Sequence, residues 1–217
     1  MKLLKWIKNY WYYYKVAVFV VIIALLIGAF AIYGMVTKEK FDYNVYLCMS
    51  ENAPTELVSS IKASVTQYGE DVDKNGEVKV QIINISYDVT DADSSEAQAK
   101  AALFAGEMQT GGNFVFIYDS YYYDMTLKNI LEAPKDISGL KYNNNTSAKI
   151  EDTELDKMIR AGLISVNVDP NAAMPELYIG LRKSPDKAKD NYSTYLNDKA
   201  LFSNILSNRI IHSAVAE

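Results

Sequence analysis

The sequence predicts an α/β protein, in which an N-terminal transmembrane helix is followed by one open, mostly parallel βαβαβ sheet domain with helices on its faces. Residues 16–37 form an apolar run without a charged side chain. The remaining chain alternates short hydrophobic runs with amphipathic helical patterns, which is typical of a parallel sheet with crossover helices. Its length suits one compact domain. We therefore expect a head at 1–15, a span at 16–37 and a domain at 38–217.

The apolar run is long enough to cross a bilayer. Its 22 residues rise roughly 33 Å as a helix, against about 30 Å of hydrocarbon core. Lysines are the charged residues of the head, and tryptophan and tyrosine rings cluster between them and the run. Basic residues before a first span predict a cytoplasmic N-terminus. We expect an uncleaved signal anchor in the cell membrane, an integral single pass, and an extracellular C-terminal domain.

Charge and residue usage argue against several functions. Four of the 22 basic residues precede the span, so 18 basic and 27 acidic residues remain in 38–217, and 18 − 27 gives −9. Such a domain should avoid nucleic acid. The single cysteine, Cys48, lies in a hydrophobic run and is expected to be buried and inert. The single histidine, His212, has no catalytic triad around it. We expect no enzymatic activity.

The first half of the domain has the clearest pattern of secondary structure. Hydrophobic runs predict buried strands, and apolar residues at helical spacing predict the helices between them. Strands are predicted at 43–49, 78–86 and 114–118, with helices at 55–68 and 94–108. The order β-α-β-α-β favours an open parallel sheet by the right-handed crossover rule.

The second half gives a weaker pattern. Residues 121–131 are compatible with a helix, and three consecutive asparagines mark a loop within 136–147. The remaining predicted elements are a helix at 154–161, two strands at 163–168 and 177–181 joined by a turn at 169–172, and a last amphipathic helix at 198–211.

Polar residues directly follow the predicted strands. Ligands in open α/β sheets bind beyond the carboxyl ends of the strands. Ser50, Asp88, Asp119 and Tyr121 are therefore candidate ligand-binding residues for a small polar solute, since the tyrosine can stack and donate hydrogen bonds. The alternative is that these residues are ordinary caps and turn formers of the loops.

One loop has the spacing of a calcium site. The sequence DVDKNGEV at 71–78 matches the first eight positions of a calcium loop, with a glycine that permits a sharp turn. Its ligands would be the side chains of Asp71, Asp73 and Asn75 and the carbonyl of Glu77. The twelfth position, where a bidentate glutamate normally binds, is Ile82, so a remote acid would have to complete the shell. The alternative is an Asn-Gly turn that needs no metal.

Three stretches of the sequence resemble those of known proteins: KNYWYYYK in the head, DVDKNGEVKVQI, which begins with the predicted calcium loop, and FVFIYD in the third predicted strand. With the apolar run, they resemble uncharacterised single-pass membrane-anchored proteins of Gram-positive, Firmicute-type gut bacteria. That resemblance implies an extracytoplasmic location in a single-membrane bacterium. More loosely, the βαβαβ order resembles one lobe of an extracellular solute-binding protein, although such proteins have two lobes.

These features predict a membrane-tethered extracytoplasmic binding module without catalytic activity. Its partner would be a small solute or a protein of a transport or envelope complex, with calcium as the one cofactor that the sequence indicates. The alternative function is a structural or assembly subunit of a membrane complex that has no ligand pocket. A large exposed apolar patch would favour assembly, and a concave site at Asp88 and Asp119 would favour binding.

Overall fold

The computed structural model describes residues 14, 16, 17, 19–30, 39–132, 142, 143, 147–151 and 153–211. The chain divides into two compact units, Met1–Lys40 and Phe41–Glu217. Most of the predicted head and His212 lie outside the described residues.

Helical structure in the first unit is continuous over residues 19–30. Within the part of the chain that the structure describes, no helix is both long and apolar enough to cross a membrane. The predicted transmembrane anchor at 16–37 is therefore wrong. The same finding overturns the single-pass topology, the integral membrane partner and the cell-membrane location with an extracellular domain.

Residues 31–37 of that predicted span lie outside the described residues.

The second unit contains the strands and helices of an α/β domain. The described strands are β1 Tyr43–Cys48, β2 Val80–Asn84, β3 Val115–Tyr118, β4 Leu131–Glu132, β5 Tyr142–Asn143, β6 Ser147–Lys149 and β7 Tyr178–Arg182. The described α-helices are α1 Thr55–Thr66, α2 Ser95–Thr110, α3 Ser120–Met125, α4 Glu154–Ser165, α5 Pro170–Ala173 and α6 Tyr192–Leu206. Short 3-10 turns occur at Val89–Asp91 and Leu127–Asn129.

Local sequence explains where the longer helices begin and end. Ser94 precedes α2, and its side chain accepts a hydrogen bond from the N–H of Ala97 at 3.2 Å. Thr153 caps α4 in the same way, accepting from Asp156 N at 3.1 Å. Each cap satisfies one of the N–H groups that a helix leaves unpaired at its start. Gly111 ends α2 in the left-handed region, at φ +62°, where glycine has no steric penalty.

The sheet is mixed, so the predicted mostly parallel sheet is wrong. Its strand order is β2-β1-β3-β7-β6-β5, and β4 also pairs with β7. The pairs of β1 with β2 and β3 are parallel, as the βαβαβ order predicted. All pairs made by β7, and the pair β5 with β6, are antiparallel. The parallel half therefore continues into an antiparallel half.

The connection between β6 and β7 explains this reversal. A single helix between two strands would carry the chain back and make the strands parallel. Here α4 and residues 166–177 together return the chain to the end of β6 from which it left. Ile150, just after β6, accordingly donates its N–H to the carbonyl of Leu177, just before β7, at 3.0 Å. β7 therefore enters antiparallel to β6.

Two predicted elements of the second half are corrected. The predicted strand 163–168 begins in the last turn of α4, because Leu163 continues the buried stripe of Leu155 and Ile159, whereas Ile164 is 63% exposed. The predicted turn at 169–172 overlaps α5, for which Asp169 is the cap.

Other boundaries also differ from the prediction. The last helix, α6, spans 192–206 instead of 198–211, and described parts of the predicted loop 136–147 pair as strands in β5 and β6.

Side chains that alternate along the strands pack into two hydrophobic cores, one on each face of the sheet. On one face, Val45, Leu47 and their neighbours pack with buried side chains of α1, α4 and α6. On the other face, Tyr46 and Cys48 pack with Phe104 of α2 and with rings of α3. Helices therefore cover both faces of the sheet, as predicted, and the second core is rich in aromatic rings.

Candidate cation site and strand-end site

The acidic loop, residues 71–78, connects α1 to β2. At its centre the Asp71 carboxylate accepts hydrogen bonds from Asn75 N at 3.1 Å and from Gly76 N at 2.7 Å. Gly76 has φ +92° and Lys74 has φ +59°, so the chain turns sharply through the left-handed region. The N–H of Gly76, with that of Asn75, holds the pKa of Asp71 below its usual range. Asp71 is therefore ionised at neutral pH.

A second chain segment contributes Asp42 to this loop. One oxygen of its carboxylate accepts from Val72 N at 3.0 Å and from Asp73 N at 3.2 Å, and the other accepts from Lys79 N at 2.7 Å. Carboxylate oxygens of Asp42, Asp71 and Asp73 all lie within 4.8 Å of one another. Asp42 is thus a remote acid of the kind that the incomplete calcium motif required.

Asp42 was absent from the predicted site residues. It lies directly before β1, and Tyr43 pairs with Val80 in parallel register. That register places Asp42 beside Lys79, at the point where the acidic loop enters β2. A carboxylate just before a strand that neighbours β2 was the signal in the sequence, but only the register shows that the two segments meet.

Asn75 and Glu77, the other predicted ligands, are less available. The Asn75 side-chain oxygen accepts from Glu77 N at 2.9 Å, and its amide nitrogen donates to Asp73 at 3.0 Å. The Glu77 carboxylate faces Lys79 at 3.6 Å, which leaves the Glu77 carbonyl as its predicted contribution. Ile82 lies in β2 and supplies no oxygen from its side chain.

The chemistry of the converging residues fits a hard divalent cation. Calcium prefers carboxylate and carbonyl oxygens, and three carboxylates from two segments match that preference. Like charges held this close repel one another, and a bound cation would neutralise that repulsion. The internal hydrogen bonds of the loop, in turn, are those of an Asx-type turn that can order the loop without a metal.

Ser50 and Asp119 meet at the carboxyl ends of β1 and β3. The Asp119 carboxylate, on a residue only 7% exposed, accepts from Ser50 N at 2.7 Å and from Ser50 Oγ at 2.6 Å. Its other oxygen accepts from Tyr122 N at 3.1 Å and caps α3. The carbonyl of Ser50 accepts from Val89 N at 3.1 Å. Ser50 therefore joins the three strand ends, and Asp119 already carries three hydrogen bonds.

Asp88 and Tyr121 lie at the same strand ends but differ in their contacts. Asp88 accepts hydrogen bonds from Thr90 Oγ1 at 2.6 Å and from Thr90 N at 2.8 Å. Both lower the pKa of Asp88, and the bond from the hydroxyl has the larger effect. Tyr121 is 42% exposed and packs edge-on against Tyr122 at 5.6 Å. Tyr122 in turn contacts the ring of Tyr87. Tyr121 is thus the exposed ring at this edge, and it lies against the buried ring of Tyr122.

The fold and these sites define the second unit as an α/β domain with a mixed sheet. It carries an acidic loop at the amino ends of its parallel strands and tyrosine rings at their carboxyl ends. No family model, no curated protein and no solved structure matches this chain.

Proposed function

We propose that residues 41–217 form a non-catalytic binding module that holds calcium in the acidic loop. The observation that carries the proposal is the convergence of three carboxylates, Asp42, Asp71 and Asp73, from two separate segments. In this proposal Asp42 supplies the carboxylate that is missing from the twelfth position of the motif, where the residue is Ile82. The carbonyl of Glu77 and water would complete the oxygen shell.

Calcium in this position has a structural role. Asp42 precedes β1 and Lys79 precedes β2, so the loop lies at the amino ends of the parallel strands. A cation there would fix the connection from α1 to β2 and would lie at the opposite end of the strands from Ser50 and Tyr121. A small solute or protein partner would bind at the carboxyl ends of the strands, beside Tyr121.

Two features support a non-catalytic module. Cys48 is fully buried, and burial raises the pKa of its thiol, which leaves it a poor nucleophile. Asp119, the buried carboxylate at the strand ends, is occupied by its three hydrogen bonds from Ser50 and Tyr122. Neither group is placed as an activated nucleophile or general base.

Calcium should raise the melting temperature of the full-length protein. At about 10 mM calcium and a dissociation constant of about 1 mM, binding to the native state alone adds about 1.4 kcal/mol of stability. For a chain of this size that is a shift of about 3–6 °C. Thermal unfolding in calcium and in chelator measures the shift, and Asp73→Ala should abolish it.

The matched control is Asp91→Asn, an exposed acid outside the acidic loop, which should keep the whole shift. If the melting temperature of the unchanged protein is the same in calcium and in chelator, the loop is a plain turn. An equal shift in the Asp73→Ala variant would mean that calcium acts elsewhere on the chain.

A second function, assembly with other protein subunits, is favoured by the outer face of α2. This helix buries Ala97, Phe104 and Glu107, whereas Leu103 is 59% exposed. The exposed face continues at helical spacing through Ala99, Ala102 and Gly106, all of them small. Small residues around one leucine allow close helix packing. Stable self-association of the full-length protein in sedimentation would favour this function over a monomeric binding module.

A further inference from the structure

A groove separate from both sites described above runs between α1 and α4 on the outer surface of the domain. Its volume is about 430 Å³. Small-molecule sites in proteins range from roughly 300 to 1,000 Å³, so the groove is large enough for a small organic ligand. Side chains of Ser59, Ala63 and Ser64 line it from α1, and those of Met158 and Val166 line it from the α4 side.

Close packing of the two helices forms the floor of the groove. Ser60 Oγ donates to the carbonyl of Ile159 in α4 at 2.7 Å. A Cβ at Gly162 would lie 2.2 Å from Ser60 Oγ, so only glycine permits this approach. Above this contact the short side chains of Ser59 and Ala63 leave the space open. The groove therefore results from small residues on both helices.

Ser64 supplies a polar group that has no partner. The residue is 3% exposed and lines the groove. Its hydroxyl makes no hydrogen bond to the described residues of the chain, and its oxygen is not fully buried. The hydroxyl is therefore open to the groove, where it can bond to water or to a ligand atom. The hydroxyl can donate to a ligand or accept from it.

The charge of the residues that line the groove determines whether a cationic or an anionic ligand is favoured. Among the described residues that line it, Glu56 is the one that carries a charge. No basic side chain is present among them to neutralise an anion. Met158, Val166 and Ala63 add apolar contact surface for a hydrocarbon body. The lining thus combines an apolar wall, a hydroxyl without a partner and one carboxylate.

We propose that this groove binds small amphipathic amines. The apolar body of the ligand lies against Met158 and Val166, Ser64 forms a hydrogen bond with the ligand, and the ammonium group faces Glu56. The site does not depend on calcium, since it uses no residue of the acidic loop.

The test uses two probes of the same shape and opposite charge, cyclohexylmethylamine and cyclohexanecarboxylate. Each is titrated into the full-length, isotopically labelled protein in the presence of chelator, and backbone amide shifts are followed by NMR. A ligand of this size should bind with a dissociation constant of about 1 mM. The amine should shift amides of α1 and α4 and saturate, and the carboxylate should bind at least tenfold more weakly.

Two variants at exposed residues, each with a control variant elsewhere, assign the binding to the groove. Ser59→Leu fills the groove and should abolish the shifts, whereas Ala101→Leu on α2 should leave them unchanged. Glu56→Gln should reduce the preference for the amine to under threefold, whereas Glu51→Gln should preserve it. Equal binding of the two probes, absence of saturable shifts, or full binding by Ser59→Leu would overturn the proposal.

Discussion

Replacing Asp198 with asparagine should stabilise the protein at pH 8 by an amount on the order of 4 kcal/mol and leave its stability near pH 4 almost unchanged. Asp198 lies in α6 and is 1% exposed. Its Oδ2 accepts from Phe114 N at 3.2 Å, and its Oδ1 has no hydrogen-bond partner among the described residues. Burial raises the pKa of this carboxyl from 3.8 to about 7.

The direction of the effect follows from proton binding. Between about pH 4 and pH 7 the native state keeps the proton on Asp198 and the unfolded chain releases it. Stability therefore falls as pH rises through this window, and the full cost of the buried charge is present above pH 7. Asparagine has a similar shape and stays neutral, and its side-chain oxygen can still accept from Phe114 N. It should remove this part of the pH dependence.

Denaturant unfolding of both proteins at pH 4, 6 and 8 measures the effect as a difference that grows with pH. Asp124→Asn changes an exposed acid and should show a difference within about 0.5 kcal/mol at every pH. If the Asp198→Asn difference is the same at pH 4 and pH 8, the carboxyl is not held neutral in the native state.

Replacing Arg182 with methionine should destabilise the protein by about 3 kcal/mol. Arg182 lies at the end of β7 and donates to two carbonyls in the last turn of α2, those of Glu107 at 3.2 Å and Met108 at 2.9 Å. Its guanidinium also lies 3.8 Å from the buried Glu107 carboxylate. Methionine keeps most of the apolar stem but leaves that carboxylate without its cation.

The Glu107 carboxylate is itself part of a network. It accepts from Tyr46 Oη at 3.0 Å and from Asn113 N at 2.8 Å. Chemical denaturation of Arg182→Met, of Glu107→Gln and of the double variant separates the charge from the hydrogen bonds. The double variant should be destabilised by clearly less than the sum of the two single variants.

The neighbouring residue provides the control for this prediction. Lys183 is exposed and donates to the carbonyl of Asn129 at 2.8 Å. Lys183→Met should cost less than about 1 kcal/mol, since exposed charges contribute little. Equal losses for Arg182→Met and Lys183→Met, or strict additivity in the double variant, would show that no buried ion pair stabilises this end of β7.

The parallel half of the sheet could be predicted because β1 and β3 are largely buried on both faces and β2, the edge strand, keeps a hydrophobic pattern. Hydrophobic runs identified all three strands. The antiparallel half could not be predicted in this way. β4, β5 and β6 have two or three residues each, too few to establish an alternating pattern. The direction of β7 depends on where residues 166–177 return the chain, which is a tertiary property.

The candidate sites were predictable only where their residues are close in sequence. The spacing of Asp71 and Asp73 predicted that their carboxylates converge, and the structure brings them together. Asp42 joins them through strand register, which no local pattern contains. Asp119 and Ser50 were placed at one edge from the strand order, yet the hydrogen bonds between them could be seen only in the structure.

The predicted membrane span illustrates the opposite case, where a local pattern gave a confident but wrong conclusion. The prediction depended on the apolar composition of 16–37 and on the lysines before it. Composition gives the length that a helix could reach, but among the described residues no helix is both long and apolar enough to cross a bilayer.

The most direct test of the proposed calcium site is an NMR titration of the full-length protein with calcium. The amides of Asn75 and Gly76 should shift and saturate at one site, with a dissociation constant of about 10⁻⁴ to 10⁻³ M. Asp42→Asn should weaken this binding at least tenfold, because it removes one of the three converging carboxylate charges. Shifts that rise without saturation and spread over the exposed acids, or binding unchanged in Asp42→Asn, would contradict the calcium site.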